Sequence, residues 1–369
     1  MRPEAWKDVR NILAIRLDNI GDVVMLGPSL RTLKQALPEA KITLMVSPAG
    51  SQIAPLLPWV DEIMVHRAVW QDASWAMPLD PAREQELIET LKVKQFDAAV
   101  IFTSFSQSPY LPAYVCYLAG IPIRLGQSKE FGGSVLSQWV KPLPDATHQV
   151  DRNLFLLESA GFITAGRHLE LSVPDEVQQR TNQILQGAGV DPNAPFIVLA
   201  PGASCPARRY DPERFAVATR IIGQESGLPI VVVGNTKETE LTAPILAEAA
   251  HTRIISLVGQ TSVPELVAVI RRSAFVFAND SGPMHLADAF LRPMVITYSG
   301  TEYESQWGPR FAPTKLLRRP TNCSPCYNFK CPYHMECLDI PPAEVATAVL
   351  EMLSVSSSEF RAPSSNLFG

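Results

Sequence analysis

The amino-acid sequence predicts an α/β protein built from two Rossmann-like, doubly wound domains that face each other across a cleft. Three observations predict it. The chain has 369 residues, more than one hydrophobic core usually organises. Hydrophobic residues make up 46% of it and charged residues 19%, the balance of a globular protein. In both halves, short apolar, β-branched runs alternate with amphipathic helical patterns, which implies parallel sheets covered on both faces.

In the first half the strand-like runs are NILAIRL (11–17), KITLMVS (41–47), EIMVHR (62–67) and FDAAVIF (96–102), with helical pattern around 29–37, 50–57 and 82–94. The segment 104–150 is punctuated by Pro109, Pro112, Gly120, Pro122, Gly126, Gly132 and Gly133, and reads as loop-rich and substrate-facing. A helical stretch follows at 150–161, then a polar passage near 164–195 that reads as the linker.

The second half restarts the alternation with FIVLAPG (196–202), PIVVVG (229–234), RIISLVG (253–259), AFVFAND (274–280) and PMVITYSG (293–300). Its helix starts are well marked. Asp211-Pro212-Glu213 sets a cap residue before a first-turn proline, and Ser262 with Glu265 has capping-box spacing. The expected limits are an N-terminal domain over 1–165, a C-terminal domain over 166–340, a helix over 341–354 and a disordered Ser-rich tail over 355–369.

The net charge of −5 gives no global basic field, so no nucleic-acid partner is expected. The start, MRPEAWKDVR, leads into an apolar run that carries an arginine and lacks a small-residue cleavage site, unlike a signal peptide. No apolar stretch approaches the ~18 residues that span a bilayer. A cytoplasmic protein is expected, at most peripherally associated with the inner face of the cytoplasmic membrane.

Ligands of doubly wound domains lie beyond the carboxyl ends of strands, which directs attention to three strand-to-helix turns. In RLDNIGDVVM, Gly21 makes a tight turn and Asp22 falls in the first helical turn, where its carboxylate can serve a bound hydroxyl as base or simply cap the helix. In AFVFANDSGPMHLADAF, the run Asn279-Asp280-Ser281-Gly282-Pro283-Met284-His285 has the make-up of an anion-binding helix start, although capping by Ser281 or Asp280 accounts for part of it. In APGASCPARRYDPERF, Ser204, Arg208 and Arg209 follow a strand end, and arginines there can take phosphate oxygens.

These residues also carry a resemblance. The stretches RLDNIGDVVMLGPSLRTLKQALP, APGASCPARRYDPERF, VVVGNTKETE and NDSGPMHLADAFLRPMVITYSGTEYESQWGP resemble, in order and spacing, the motifs of glycosyltransferase family 9, the heptosyltransferases of lipopolysaccharide assembly. The resemblance runs from about residue 11 to 350. It implies a GT-B architecture and inverting, metal-independent transfer from a nucleotide-diphosphate sugar, commonly ADP-heptose, to a glycan or glycolipid acceptor. Asp22 matches the family's catalytic base. Arg208 stands where a basic residue, often lysine, contacts the donor diphosphate. Glu238 matches the acidic residue on the nucleotide ribose, and Asp280, Ser281, Gly282 and His285, with Pro283 and Met284 between them, match the donor-binding helix start, with Gly300 and Thr301 at the next strand end. The sequence departs from the pattern at Tyr210, usually tryptophan, and at Glu302-Tyr303, often Asp-Pro. It contains no Asp-x-Asp motif, in keeping with a mechanism that needs no cofactor.

Arg124, Lys129, Lys141, His148 and Arg152 are candidates for a basic acceptor-side surface, with solvated loop charge as the alternative. Trp59, Trp70, Trp75, Trp139 and Trp307 could stack on sugars or pack into cores. Cys323-x2-Cys326-x4-Cys331-x5-Cys337 could enclose structural zinc or iron tetrahedrally, pack as reduced thiols, or form disulfides. Two other functions fit the same architecture: a nucleotide-sugar epimerase, and a non-catalytic saccharide-binding protein. A dinucleotide oxidoreductase does not fit, because the lone Gly-x-Gly, Gly187 to Gly189, precedes a strand and has Pro192 at the third glycine position.

Overall fold

The computed structural model describes residues 3–72 and 75–359, the last four by backbone alone. The chain divides into two compact units, Met1–Ser172 and Val173–Gly369.

The first unit contains β1 (Asn11–Arg16), α1 (Ile20–Val24), α2 (Gly27–Ala36), β2 (Lys41–Val46), β3 (Glu62–Val65), α3 (Pro81–Lys94), β4 (Ala98–Ile101), α4 (Tyr110–Leu118), β5 (Ile123–Gln127), β6 (Gln138–Val140) and α5 (Gln149–Ser159). Its six strands are parallel, in the order β3-β2-β1-β4-β5-β6. The inner strands are buried almost throughout, which is why they read as continuous apolar runs. Leu13, Ile15, Leu91, Ile101 and Leu136 belong to the core on one side of this sheet.

The second unit contains α6 (Asp175–Gly187), β7 (Ile197–Ala200), α7 (Pro212–Ser226), β8 (Ile230–Val232), α8 (Thr239–Ala247), β9 (Ile254–Ser256), α9 (Val263–Arg272), β10 (Phe275–Asn279), α10 (Gly282–Ala289), β11 (Met294–Thr297), α11 (Glu304–Trp307), β12 (Thr314–Leu317) and α12 (Pro342–Glu359). Its sheet is again six parallel strands, in the order β9-β8-β7-β10-β11-β12. Both units therefore repeat the strand order 3-2-1-4-5-6, with switch points between β1 and β4 and between β7 and β10. Tyr210, Phe215 and Phe277 anchor the second core through ring contacts at 5.0 and 4.9 Å.

Several helix starts form as their residues dictate. The Asp211 carboxylate accepts the Arg214 N–H at 3.0 Å, and Ser262 with Glu265 makes a reciprocal capping box. Asp288 at the far end of α10 accepts the backbone N–H groups of Arg310, Phe311 and Ala312 at 3.1, 2.9 and 2.8 Å, fixing the chain that leads into β12.

The structure corrects four local expectations. The segment 104–150 holds α4, β5 and β6: Pro112 sits in the first turn of α4, where an N–H has no helical partner to lose, and Gly120, at φ +79°, follows the helix end. The supposed linker contains α6. The pattern at 50–57 folds as two 3-10 turns, Gly50–Gln52 and Ala54–Leu56. The C-terminal helix continues past 354 to Glu359; of the tail expected from 355, residues 360–369 lie outside the described residues. Among the described residues, no helix is long and apolar enough to cross a membrane.

Candidate functional site

At the switch point of the first unit, β1 ends in Arg16, which is fully buried. Its Nε lies 2.9 Å from Asp18 Oδ2, and its Nη2 donates to Asp22 Oδ1 at 2.8 Å. Asp22 occupies the third position of α1, where its Oδ2 accepts the Asn19 N–H at 3.2 Å. Capping and a polar site are thus both present at this carboxylate. Asp18 Oδ1 accepts the side-chain amides of Gln71 at 2.7 Å and Gln107 at 2.5 Å. Burial pushes the Asp18 carboxyl up; Arg16 opposes this and Asp22 adds to it. The Arg16 pKa is lowered by burial, but Asp18 and Asp22 outweigh that and leave it raised.

At the switch point of the second unit, the turns after β7, β8, β10 and β11 converge. The Arg208 Nε donates to Thr301 Oγ1 at 3.2 Å, and its Nη2 pairs with Glu302 at 2.7 Å. Burial works against the Arg208 charge, while Glu302 and Asp280 outweigh it and hold the pKa raised. The Ser299 hydroxyl donates to Asp280 Oδ2 at 2.8 Å and lies 2.9 Å from Thr301 Oγ1. Asp280 is only 5% exposed, and its buried Oδ1 has no hydrogen-bond partner among the described residues. Burial raises its pKa to about 7 against the opposing pull of Arg208 and Ser299. His285, also buried, is pushed down to about 4 by desolvation and is neutral at neutral pH.

Ser281 stands at the N-cap of α10 without capping it: its hydroxyl donates to the Gly202 carbonyl at 3.2 Å. That contact draws the β7 and β10 turns together. Gly202 is also needed for the close approach of the β7 and β8 turns, because a Cβ there would stand 1.8 Å from Glu238 Oε1. Glu238 is itself placed by a capping box, its Oε2 accepting the Asn235 N–H at 2.8 Å.

Not every candidate joins this group. Met284 is buried in the core, and its N–H donates to the Ser281 carbonyl at 3.0 Å; Pro283 has no N–H. The anion cradle expected at the helix start is therefore narrower than the sequence suggested. Arg209 is turned back onto the Ala203 carbonyl at 2.9 Å, and Ser204 is exposed in the same turn. On the expected acceptor side, Arg124 is occupied internally, donating to the carbonyls of Ile121, Pro122, Val135 and Ser134 at 2.5, 3.0, 2.7 and 3.2 Å. Arg152 is buried and donates to the Pro144 carbonyl at 3.1 Å, and Lys129 pairs with Asp145 at 2.5 Å. A guanidinium buried against carbonyls reads in sequence like one free for substrate.

The six cysteines are free thiols. Cys323, Cys326, Cys331 and Cys337 line one void of about 20 Å³ together with Gly300, Thr301 and Ala207. Among the described residues, no group of three or more His, Cys, Asp or Glu side chains is set to hold a metal ion. The cysteine loop is tied to the turns after β7 and β11 by main-chain bonds: Cys326 N–H to Gly300 O at 3.1 Å, Tyr327 N–H to Thr301 O at 2.8 Å, and Ala207 N–H to Phe329 O at 3.1 Å.

The sequence reading missed Arg16, Asp18, Gln71 and Gln107. The one available signal was a charged residue closing an otherwise buried strand.

With this geometry in hand, the chain can be set beside known proteins. The family model of glycosyltransferase family 9 (heptosyltransferase) matches residues 85–336. Lipooligosaccharide heptosyltransferase 2 of Haemophilus ducreyi is 26% identical over 362 residues, spanning 93% of this chain and 99% of its own. The solved glycosyl transferase family 9 structure from Veillonella parvula superposes with a TM-score of 0.76 at 20% identity, over 94% of this chain and 97% of that one. The ADP-heptose lps heptosyltransferase II of E. coli gives 0.74 at 24% identity, over 94% and 99%. The two doubly wound parallel units have the GT-B architecture of these solved structures. The chain belongs to glycosyltransferase family 9.

Proposed function

We propose that the protein is an inverting glycosyltransferase that moves a heptose from ADP-heptose to a hydroxyl of a lipopolysaccharide-type acceptor without a catalytic metal. The observation that carries the reading is the convergence of Arg208, Thr301, Ser299 and Asp280 at one switch point. A cation and hydroxyl donors gathered there suit a diphosphate, and the proximity of Gly202 to Glu238 leaves that carboxylate as the partner for a ribose.

In this mechanism the acceptor oxygen attacks the anomeric carbon from the face opposite the nucleotide. The new glycosidic C–O bond forms as the bond to the diphosphate oxygen breaks, and the electron pair leaves with the nucleoside diphosphate. Asp22 takes the acceptor proton. Arg208 and the start of α10 stabilise the charge gathering on the leaving group, which the fixed geometry does without reorganisation. Asp280, Ser281, Gly282, His285, Gly300 and Thr301 complete the donor side. A glycolipid acceptor would bring the protein to the inner face of the cytoplasmic membrane, and the exposed Leu111, Tyr114, Tyr117 and Leu118 of α4 offer it apolar surface.

Cys323, Cys326, Cys331 and Cys337 would hold a structural zinc or iron. Four cysteines line one small void, and four sulfur donors have the chemistry for such an ion. The metal would supply rigidity to the loop that braces Gly300 and Thr301.

A thermal-shift comparison of ADP-, GDP- and UDP-sugars tests the donor side. A bound sugar nucleotide at a hundred times its dissociation constant adds about 2.7 kcal/mol of stability. Stabilisation by ADP-heptose above the others is expected, and no response to any of them would sink the reading.

A further inference from the structure

Asp22 does not stand alone in the first unit. Its Oδ1 is held by Arg16 Nη2 at 2.8 Å, whereas its Oδ2 receives, among the described residues, the longer Asn19 N–H at 3.2 Å. The two oxygens are therefore unequal. Arg16 is fully buried, and a buried guanidinium needs carboxylate partners to compensate its desolvation. It has two, because Asp18 takes its Nε edge at 2.9 Å. Asp18 is itself fixed from behind by Gln71 and Gln107, two neutral amides from separate segments of the chain. With its Nε and Nη2 both engaged, the guanidinium is held in one orientation, and with it the Asp22 carboxylate.

We propose that Arg16 and Asp18 are a positioning pair for Asp22: Arg16 fixes Oδ1 so that Oδ2 receives the acceptor proton, and Asp18 offsets the Arg16 charge. The inference rests on the reading of Asp22 as base. The charged groups that act on the Arg16 partner of this carboxylate are Asp18 in the turn, Asp22 itself and Arg152 on α5. The 3-10 turn Gly50–Gln52, which packs on α1, carries no ionisable side chain. With Asp18 neutralised, the full Arg16 charge would act on Asp22. The base would then be weaker.

The test uses the full-length protein with ADP-heptose and core-truncated lipopolysaccharide, and follows kcat and KM against pH for Asp18→Asn, Arg16→Lys and Asp22→Asn. Melting curves with and without ADP check each variant for folding. For Asp18→Asn we expect kcat to fall about tenfold with KM little changed, and the acidic limb of the rate profile to move to lower pH. Arg16→Lys keeps the charge but not the two-edged geometry. Its kcat should fall while KM holds, and it decides the matter if Asp18→Asn does not fold.

If Asp22→Asn is inactive yet Asp18→Asn and Arg16→Lys match the wild type, the positioning role is overturned and the base reading stands. A drop in kcat for Asp18→Asn with an unmoved acidic limb also overturns it, since structural damage alone would do that. If Asp22→Asn retains its rate, the base reading fails and takes this inference with it.

Discussion

The Arg208 guanidinium lies 2.7 Å from the Glu302 carboxylate, so the cation proposed for the donor diphosphate is paired with an internal anion. A nucleotide bound as proposed would set phosphate oxygens in competition with Glu302.

Removing the competitor should therefore tighten binding. Glu302→Gln is expected to lower the dissociation constant for ADP about threefold to tenfold, and Arg208→Ala to raise it by a factor of about ten to a hundred, on the scale of a charge-assisted contact. Calorimetric titration with ADP measures both. Unchanged affinity in Arg208→Ala would remove this arginine from the donor site.

Asp280 sets a pH dependence of stability. Its pKa is raised to about 7, so between the ordinary carboxylate range near 4 and about 7 the native protein binds a proton that the unfolded chain has lost. Its contribution is fully present below that window and is lost as pH rises through 7. Asp280→Asn should consequently raise the melting temperature relative to wild type at pH 8 but not at pH 4. Melting curves of the two proteins at both values give the comparison; a difference independent of pH would contradict the assignment.

Gly202 offers a steric test of the ribose side. A methyl group there would stand 1.8 Å from Glu238 Oε1, which must then move. Gly202→Ala should weaken ADP binding and cost about 1–3 kcal/mol of stability, as overpacking does. Restoring ADP affinity in Gly202→Ala by shortening the acid, with Glu238→Asp, would tie the defect to that carboxylate.

The cysteine loop should act on affinity before rate. Cys323→Ser with Cys326→Ser is expected to lower bound zinc or iron, measured by elemental analysis, and to raise the dissociation constant for ADP while leaving kcat at saturating donor within about threefold, because the loop braces Gly300 and Thr301 on the proposed donor side. Full metal content in the double variant would argue against these thiols as ligands.

The α/β class was legible because parallel strands are buried on both faces and announce themselves as apolar runs, as in β1, β4, β7 and β10. Helix starts at Asp211 and Ser262 were legible because capping is local chemistry. What the sequence hid was decided by packing. α4 begins beneath Pro109 and Pro112, β5 contains Gly126, and β12 is the mixed run TKLL at a sheet edge, so each lacks the local signature of its state. In the candidate site, turn positions pointed to Asp22, Arg208 and Asp280. Their partners could not be read, because Arg16 meets Asp18 and Asp22 only once β1 and α1 are folded together, and Arg208 meets Thr301 across almost a hundred residues.

The bonds from the cysteine loop to the turns after β7 and β11 run between main-chain atoms: Cys326 to Gly300, Tyr327 to Thr301, and Phe329 to Ala207. They depend on the course of this loop and on none of its side chains. A descendant could exchange all four thiols for another way of holding the same path, and the turns beneath would keep their shape.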